Sequence, residues 1–252
     1  MTPTPLQALA IFAAGVAAGT INTVVGSGTL ITFPVLLGVG YAPVVANVSN
    51  TIGLVPGSAT GAYGYRRELR GQRRRTVPLA AASVLGGITG AILLLSLPAS
   101  AFKAIVPVFI AIALVLIIAQ PRLARALEHR RRPAHANAGP VATLSVFASG
   151  VYGGYFGAAQ GILLLAILGL AIDEDLQRIN ALKVVLAGLV NLVAAIVFIC
   201  AAHVAWLAAA LIALGATIGG VIGAHAGRRL PANVLRAVIV VVGIIAIVRL
   251  VA

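Results

Sequence analysis

"RINALKVVLAGLVNLVAAIVF", residues 178–198, reads as a membrane-spanning helix with a lysine inside it. Lys183 stands five residues into the run, with Asn180 before it and Asn191 after. An ammonium placed in hydrocarbon costs about 3 kcal/mol or more on insertion scales. Asn180, Lys183, Ala187 and Asn191 are spaced to share one helical face. Polar groups at that depth are costly unless they line a cavity or bind something.

The surrounding chain shows why the run is a span and not a core helix. Of 252 residues, 61% are hydrophobic and 9% are charged, and the mean hydropathy is +1.09. A soluble domain carries roughly a quarter charged residues. The acidic residues are Glu68, Glu128, Asp173, Glu174 and Asp175. The chain therefore reads as an all-α polytopic bundle in the cell membrane, with the lipid bilayer as its first partner. The net charge of +13 invites a nucleic-acid role, but its distribution argues against one. Eleven of the 18 basic residues fall in "RRELRGQRRR" (66–75) and in the stretch 122–132, both between apolar runs. Basic loops beside spans mark the cytoplasmic side, so both loops are expected there. Nothing supplies a polar or aromatic face for nucleic acid. The first residues carry no positive n-region, so no cleaved signal peptide is expected. Cys200 is alone, which excludes an internal disulfide and a cysteine metal cluster.

Apolar runs fall at about 6–25, 28–40, 43–65, 76–97 and 101–119, then at 141–158, 161–172, 178–202, 205–227 and 233–251. In each half the second run is short, well under the about 20 residues a full span needs. Each short run follows a Gly-rich break, "VVGSGT" at 24–29 and "YFGAAQG" at 155–161. Slid over itself by 133 residues, the chain places Gly28 on Gly161, Asn47 on Asn180 and Leu97-Pro98-Ala99 on Leu230-Pro231-Ala232, without a gap from residue 28 onward. The basic loop 66–75 falls on the uncharged "CAAHVAWLAA", and "SLPAS" falls on the basic "GRRLPAN". Positive charge changes sides between the halves, so the repeats are expected to be inverted. The reading is a first repeat over 1–121, a basic linker over 122–139 and a second repeat over 140–252, with about 8–10 membrane segments. Each first pair of runs either crosses or forms a re-entrant hairpin.

The repeat pairs the opening stretch with Asn47, Asn50, Leu54 and Ser58, so that Lys183 matches Asn50 and Asn191 matches Ser58. A lone cation with no carboxylate in its own segment points to an anionic substrate. The breaks supply a second reason. A helix starting after "VGSG" or "GAAQG" presents free N–H groups and the positive end of its dipole, which bind anions. Ser27 and Gln160 fall at equivalent positions, and Asn22, Thr23 and Thr29 add donors. The candidate substrate-binding set is Asn22, Gly26, Ser27, Gly28, Asn47, Asn50, Gly157, Gln160, Gly161, Asn180, Lys183 and Asn191. Plainer readings stand beside it. The asparagines can act as interhelical hydrogen-bond glue. Lys183 can snorkel to the headgroups or pair with Asp173 or Asp175. Trp206, Tyr63 and Tyr65 read as interfacial belt residues, and Lys103 and Arg236 as interface markers.

Enzymatic readings find little footing. His203 and His225 have no carboxylate or cysteine at ligand spacing, and His129 and His135 sit in the linker, so no metal or other cofactor is expected. No Asp or Glu lies in a predicted span, and no phosphate-binding loop or ATPase domain exists. The expected class is a secondary transporter of a small anion, with no enzymatic activity.

"GVAAGTINTVVGSGTLITFPVLLGVGYAPVVANVSNTIGLVPGSATGAYGY" resembles the opening repeat of the sulfite exporter TauE/SafE family of bacterial and archaeal anion transporters. The likeness is carried by the early G-x-x-x-G, the "GSGTLITFP" break, "A-N-x-S-N" and "GSATGAYGY", then by "FASGVYGGYFGAAQGILLLAIL" and "LKVVLAGLVNLVAAIVF". It covers essentially the whole chain. It implies transport of sulfite, an organosulfonate or a related sulfur-containing anion by an inverted-repeat fold. The motif-matched positions are Asn22, Gly26, Gly28, Asn47 and Asn50, with Gly157, Gly161 and Lys183 in the second half. Alternatives are a thiol, sulfide or carboxylate cargo, or a non-transporting membrane scaffold. Assembly into a homo-oligomer is left open.

Overall fold

Helix starts and stops follow local chemistry. α1 (Pro5–Val24) opens with a proline at its first turn, behind a capping box in which Thr4 and Gln7 satisfy each other's backbone N–H groups. It ends at Gly26, whose φ of +88° strains any other residue. α2 (Thr29–Val39) stops at Gly40, again left-handed, and Pro43 starts α3 (Pro43–Gly64). α4 (Arg73–Ser96) and α5 (Ala99–Glu128) complete the first half. In the second half α6 (Pro140–Tyr155), α7 (Gln160–Ala171), α8 (Leu176–Ala201) and α9 (Trp206–Ala226) follow. The Asp175 carboxylate caps α8 by accepting from the Gln177 N–H.

The computed structural model describes residues 2–128, 139–226, 239–245 and 247–248, and among them no strand occurs. Residues 239–245 and 247–248 are helical and belong to the expected tenth segment. The expectations for His129, His135, Arg228, Arg229, Pro231 and Arg236 lie outside the described residues.

Among the described residues, five helices are long and apolar enough to cross a membrane: Pro5–Val24, Arg73–Ser96, Ala99–Leu123, Leu176–Ala201 and Trp206–His225. α3 is long enough but more polar, because Asn47, Ser49, Asn50, Thr51 and Ser58 are buried against other helices and not turned to lipid. α2 has 11 residues and α7 has 12, so neither can span alone.

Contacts resolve how the short helices are used. α1 runs parallel to α9, with Gly15 on Ile212, Gly19 on Ala216 and Gly223 on Thr20. α2 then returns, and Gly40–Ala42 lie beside His203–Leu207, where α9 begins. α6 likewise runs parallel to α4, with Gly86 on Phe147 and Gly90 on Val151. α7 comes back to the start of α8, where Ile172 and Ile179 share a core with Leu168 and Leu182. Each pair is thus a re-entrant hairpin with both ends at one end of the bundle. The second enters from the end that holds the basic loop 66–75, and the first from the opposite end. α3 and α8 pack together between them.

α5 continues as helix through residues 122–128, into the stretch read as the basic linker. Hydropathy ends with the bilayer, but "RLARALE" is made of good helix formers that keep the helix going. Tyr65 is not a belt residue: it is 4% exposed and packs with Ala181 and Val184, whereas Tyr63 and Trp206 are exposed. The repeat register also slips at the breaks. The starts of α3 and α8, and of α4 and α9, keep the 133-residue offset, but Gly26 with Gly157 and Thr29 with Gln160 fall two residues short of it. Gln160 therefore opens α7 as Thr29 opens α2, and it is not the counterpart of Ser27.

The close crossings yield a first prediction. A Cβ on Gly90 would stand 2.0 Å from the carbonyl oxygen of Val151, whereas one on Gly38 would meet nothing within 4 Å. Gly90→Ala is expected to destabilise by about 1–3 kcal/mol through overpacking. Gly38→Ala should be neutral or raise stability by up to about 1 kcal/mol through helix propensity. Thermal unfolding of the detergent-solubilised variants measures both.

Candidate functional site

The two breaks meet. The Gly161 N–H donates to the Gly26 carbonyl oxygen at 3.0 Å. Their backbones are so close that a Cβ on either would stand 2.4 Å from the other's Cα. Around this junction lie the N-termini of α2 and α7, neither of which has a side-chain cap. The amides of Ser27, Gly28 and Thr29 have no backbone acceptor among the described residues. Such amides and the positive dipole end suit an anion. Two side chains reinforce the point. Ser27 Oγ and Gln160 Nε2 are buried and have no hydrogen-bond partner among the described residues, whereas buried polar groups are ordinarily paired. The Gln160 amide lies against Gly153, where a Cβ would be 2.3 Å from its Cδ. Half-buried Asn22 lies beside Gly28, its Cβ 3.2 Å from where a Gly28 Cβ would be.

The polar stripes of α3 and α8 grip these breaks. Lys183 is 1% exposed, and its Nζ donates to the carbonyl oxygens of Thr23 at 3.4 Å and Val24 at 3.3 Å. Asn180 Nδ2 reaches the same Thr23 oxygen at 3.5 Å. Across the bundle, Asn47 Nδ2 donates to the Tyr155 carbonyl oxygen at 3.0 Å. Thus Lys183 and Asn180 hold the C-terminal end of α1, and Asn47 holds the C-terminal end of α6. Asn50 turns to α2: its Nδ2 donates to Thr29 Oγ1 at 3.3 Å, and Thr32 Oγ1 donates to its Oδ1.

Lys183, read from the sequence as a cation with no carboxylate in its own segment, finds acceptors on another helix. Its acceptors are two backbone carbonyls at the negative end of the α1 dipole, a placement that stabilises a cation. Neither Asp173 nor Asp175 pairs with it. An ammonium has three donors, and two are used. Asn47 Oδ1 is buried with no hydrogen-bond partner among the described residues. Asn191, about two turns beyond Lys183, is half-buried and makes no hydrogen bond among the described residues, so the structure does not bring it to the breaks. Gly157 stands in the second break at φ +78°. Sequence reasoning missed Thr32, whose i, i+3 spacing from Thr29 was the available signal. It also missed Ser149, buried on α6, whose hydroxyl has no hydrogen-bond partner among the described residues.

At the basic end, Glu174 pairs with Arg75 and with Arg178, the latter at 2.8 Å. Gln72 Nε2 donates to the Arg178 carbonyl oxygen at 3.2 Å, and Arg178 Nη2 donates to that of Arg70 at 3.2 Å. These contacts tie the α3–α4 loop to the α7–α8 loop, and so one half of the chain to the other. Among the described residues no group of three or more His, Cys, Asp or Glu is placed to hold a metal.

A helical membrane bundle with two broken hairpins meeting around buried polar groups has the architecture of a transporter. The family model for the sulfite exporter TauE/SafE family matches residues 11–250, and the chain belongs to that family. It is 29% identical over 245 residues to the probable membrane transporter protein ORF9 of Sinorhizobium sp, covering 96% of this chain and 91% of that one. It is 25% identical over 239 residues to the probable membrane transporter protein YfcA of Escherichia coli K12, covering 94% and 87%. A probable membrane transporter protein of Haemophilus influenzae is 24% identical over 214 residues, covering 85% and 82%. No solved structure matches. The chain is a multi-pass membrane transporter of the TauE/SafE family.

Proposed function

We propose that this transporter carries a small sulfur-containing anion, sulfite or an organosulfonate, by alternating access between two inverted repeats. The observation that carries the reading is the junction of Gly26 with Gly161, flanked by uncapped helix N-termini and by the unpartnered donors Ser27 Oγ and Gln160 Nε2. The family's description as sulfite exporters supports a sulfur-containing cargo. The packing supports inversion: α1 leans on α9 and α6 on α4, so each hairpin rests on the other half. In this reading the backbone at Gly26, Gly28, Gly157 and Gly161 and the Ser27 and Gln160 side chains contact the anion. Lys183 gives it charge through its third donor. Asn22, Asn47, Asn50 and Asn180 hold the breaks in place, and Asn191 lines the path farther along α8.

Uptake of labelled sulfite into proteoliposomes, with taurine, sulfate, acetate and sulfide as competitors, tests the cargo. Saturable sulfite uptake above protein-free vesicles is expected. Sulfide outcompeting sulfite would move the cargo to the thiol class, and no flux of any competitor in folded protein would favour a scaffold.

The Arg75–Glu174–Arg178 cluster holds the halves together at the basic end, and opening toward the cytoplasm requires it to part. Partly exposed ion pairs contribute about 1 kcal/mol or less. Glu174→Gln is therefore expected to change the sulfite transport rate by no more than about fivefold. Initial rates in the same vesicles measure it.

A further inference from the structure

We infer that the exposed arginines around the start of α4 form a binding site for the headgroups of anionic phospholipids, an inference independent of the cargo. The first observation is how the charges of "RRELRGQRRR" (66–75) are used; the run holds arginine and no lysine. Arg75 is engaged, because it pairs with Glu174, which also takes Arg178. Asp175, from the same α7–α8 loop, caps α8. Arg66, Arg67, Arg70, Arg73 and Arg74 are exposed, whereas Glu68 within the run is half-buried. The side chains of Arg67, Arg70, Arg73 and Arg74 have no ion pair or hydrogen bond among the described residues.

The second observation is depth. α4 is apolar enough to span, and Val77, Ala81, Leu85 and Ile92 form its exposed face. Arg74 precedes Val77 by three residues and Ala81 by seven, so it continues that lipid-facing stripe at headgroup level. At the end of α3 the Tyr63 ring is 68% exposed, and the Arg66 guanidinium lies over it at 4.4 Å. An exposed tyrosine with a cation on its face suits the membrane interface. The patch therefore borders the bilayer, whereas Arg75 lies in the seam between the halves.

The third observation is that the first turn of α4 is charged against its own dipole. It holds Arg73, Arg74 and Arg75, with no acid and no side-chain cap. The N–H groups of Arg73 and Arg74 have no backbone acceptor among the described residues. The positive end of a helix favours anions and disfavours cations. Glu174 relieves Arg75. A phosphodiester beside Arg73 and Arg74 relieves both and takes the free amides. The planar fork of arginine matches two phosphate oxygens, and clusters of about four to eight basic residues at the end of a span hold anionic lipid.

The test follows the thermal midpoint of the purified full chain in phosphatidylcholine bicelles as phosphatidylglycerol is added. Phosphatidylglycerol is expected to raise the midpoint, and the same amount of added phosphatidylcholine is not. Each arginine near an anionic surface contributes about fivefold in affinity. Arg73→Gln/Arg74→Gln is therefore expected to weaken the apparent affinity for phosphatidylglycerol by about tenfold or more. In phosphatidylcholine alone it should melt no lower than wild type, because the conflict with the dipole is gone. Salt at about 0.5 M should weaken the wild-type response severalfold. An equal midpoint in the two lipids, an undiminished response in the double variant, or an equal rise with soluble glycerol 3-phosphate overturns the lipid site. A wild-type response that salt leaves unchanged overturns it even where the variant fails to fold.

Discussion

Lys183→Met is expected to lower sulfite flux by about 10- to 100-fold while the protein still inserts and folds. Methionine keeps the unbranched apolar stem and removes the ammonium. A hydrogen bond to a charged group contributes about 1.5–3 kcal/mol, and each 1.4 kcal/mol is about a factor of ten. In the proposed site the third donor of Lys183, beyond those on the Thr23 and Val24 carbonyls, is the one the anion would lose. The other two donors hold the end of α1, so the same substitution should also cost about 1–2 kcal/mol of stability. Lys183→Arg separates the two effects, because it keeps a cation at the α1 carbonyls. Flux and thermal midpoint are read on the same preparations. Wild-type flux in folded Lys183→Met protein would remove the charge from the mechanism and leave Lys183 as a cap of α1.

Gly161→Ala is the second large effect, and it falls on folding as well as transport. The added Cβ would meet the Gly26 Cα at 2.4 Å and the Gly26 carbonyl oxygen at 2.9 Å, and backbone atoms on both sides cannot swing away. The hydrogen bond from the Gly161 N–H to the Gly26 carbonyl would be forced open with them. A loss of about 3 kcal/mol is expected from overpacking at this one point, lowering the thermal midpoint by roughly 6–12 °C. Gly26→Ala should be worse, because its φ of +88° adds strain to the same clash. A midpoint within a degree of wild type for both variants would mean that the two breaks are not packed against each other.

The parts of this fold that a chain writes in hydropathy were legible, and the parts that depend on backbone atoms were not. Short runs behind Gly-rich breaks announced α2 and α7, because glycine at positive φ and a run too short to span are both visible as letters. The face of Asn180 and Lys183 was legible because a charge in an apolar run is conspicuous. What Lys183 touches was not, since the carbonyls of Thr23 and Val24 are the same groups that every residue carries. Sequence reasoning therefore left the Thr23 and Val24 carbonyls out of its account of Lys183. The slip of register at the breaks escaped for a related reason. Gly28 does fall on Gly161 in an ungapped alignment, but helix starts are set by where the break ends, and Gln160 starts α7 without a side-chain cap. Tyr65 was misread because an aromatic residue beside a basic loop looks interfacial whether it faces lipid or, as here, Ala181 and Val184.

The claim on which all of this depends is that the anion passes where the two breaks meet. Ser27→Cys, in a Cys200→Ser background, places a thiol at that junction with little change in size. A membrane-permeant alkylating reagent then reports when the junction opens, and methanesulfonate reports whether an anion occupies it. The account predicts that the cysteine is labelled in transporting protein and that saturating methanesulfonate slows the labelling. Labelling at the same rate with and without methanesulfonate, in protein that still carries it, would contradict the account and send the anion along another path.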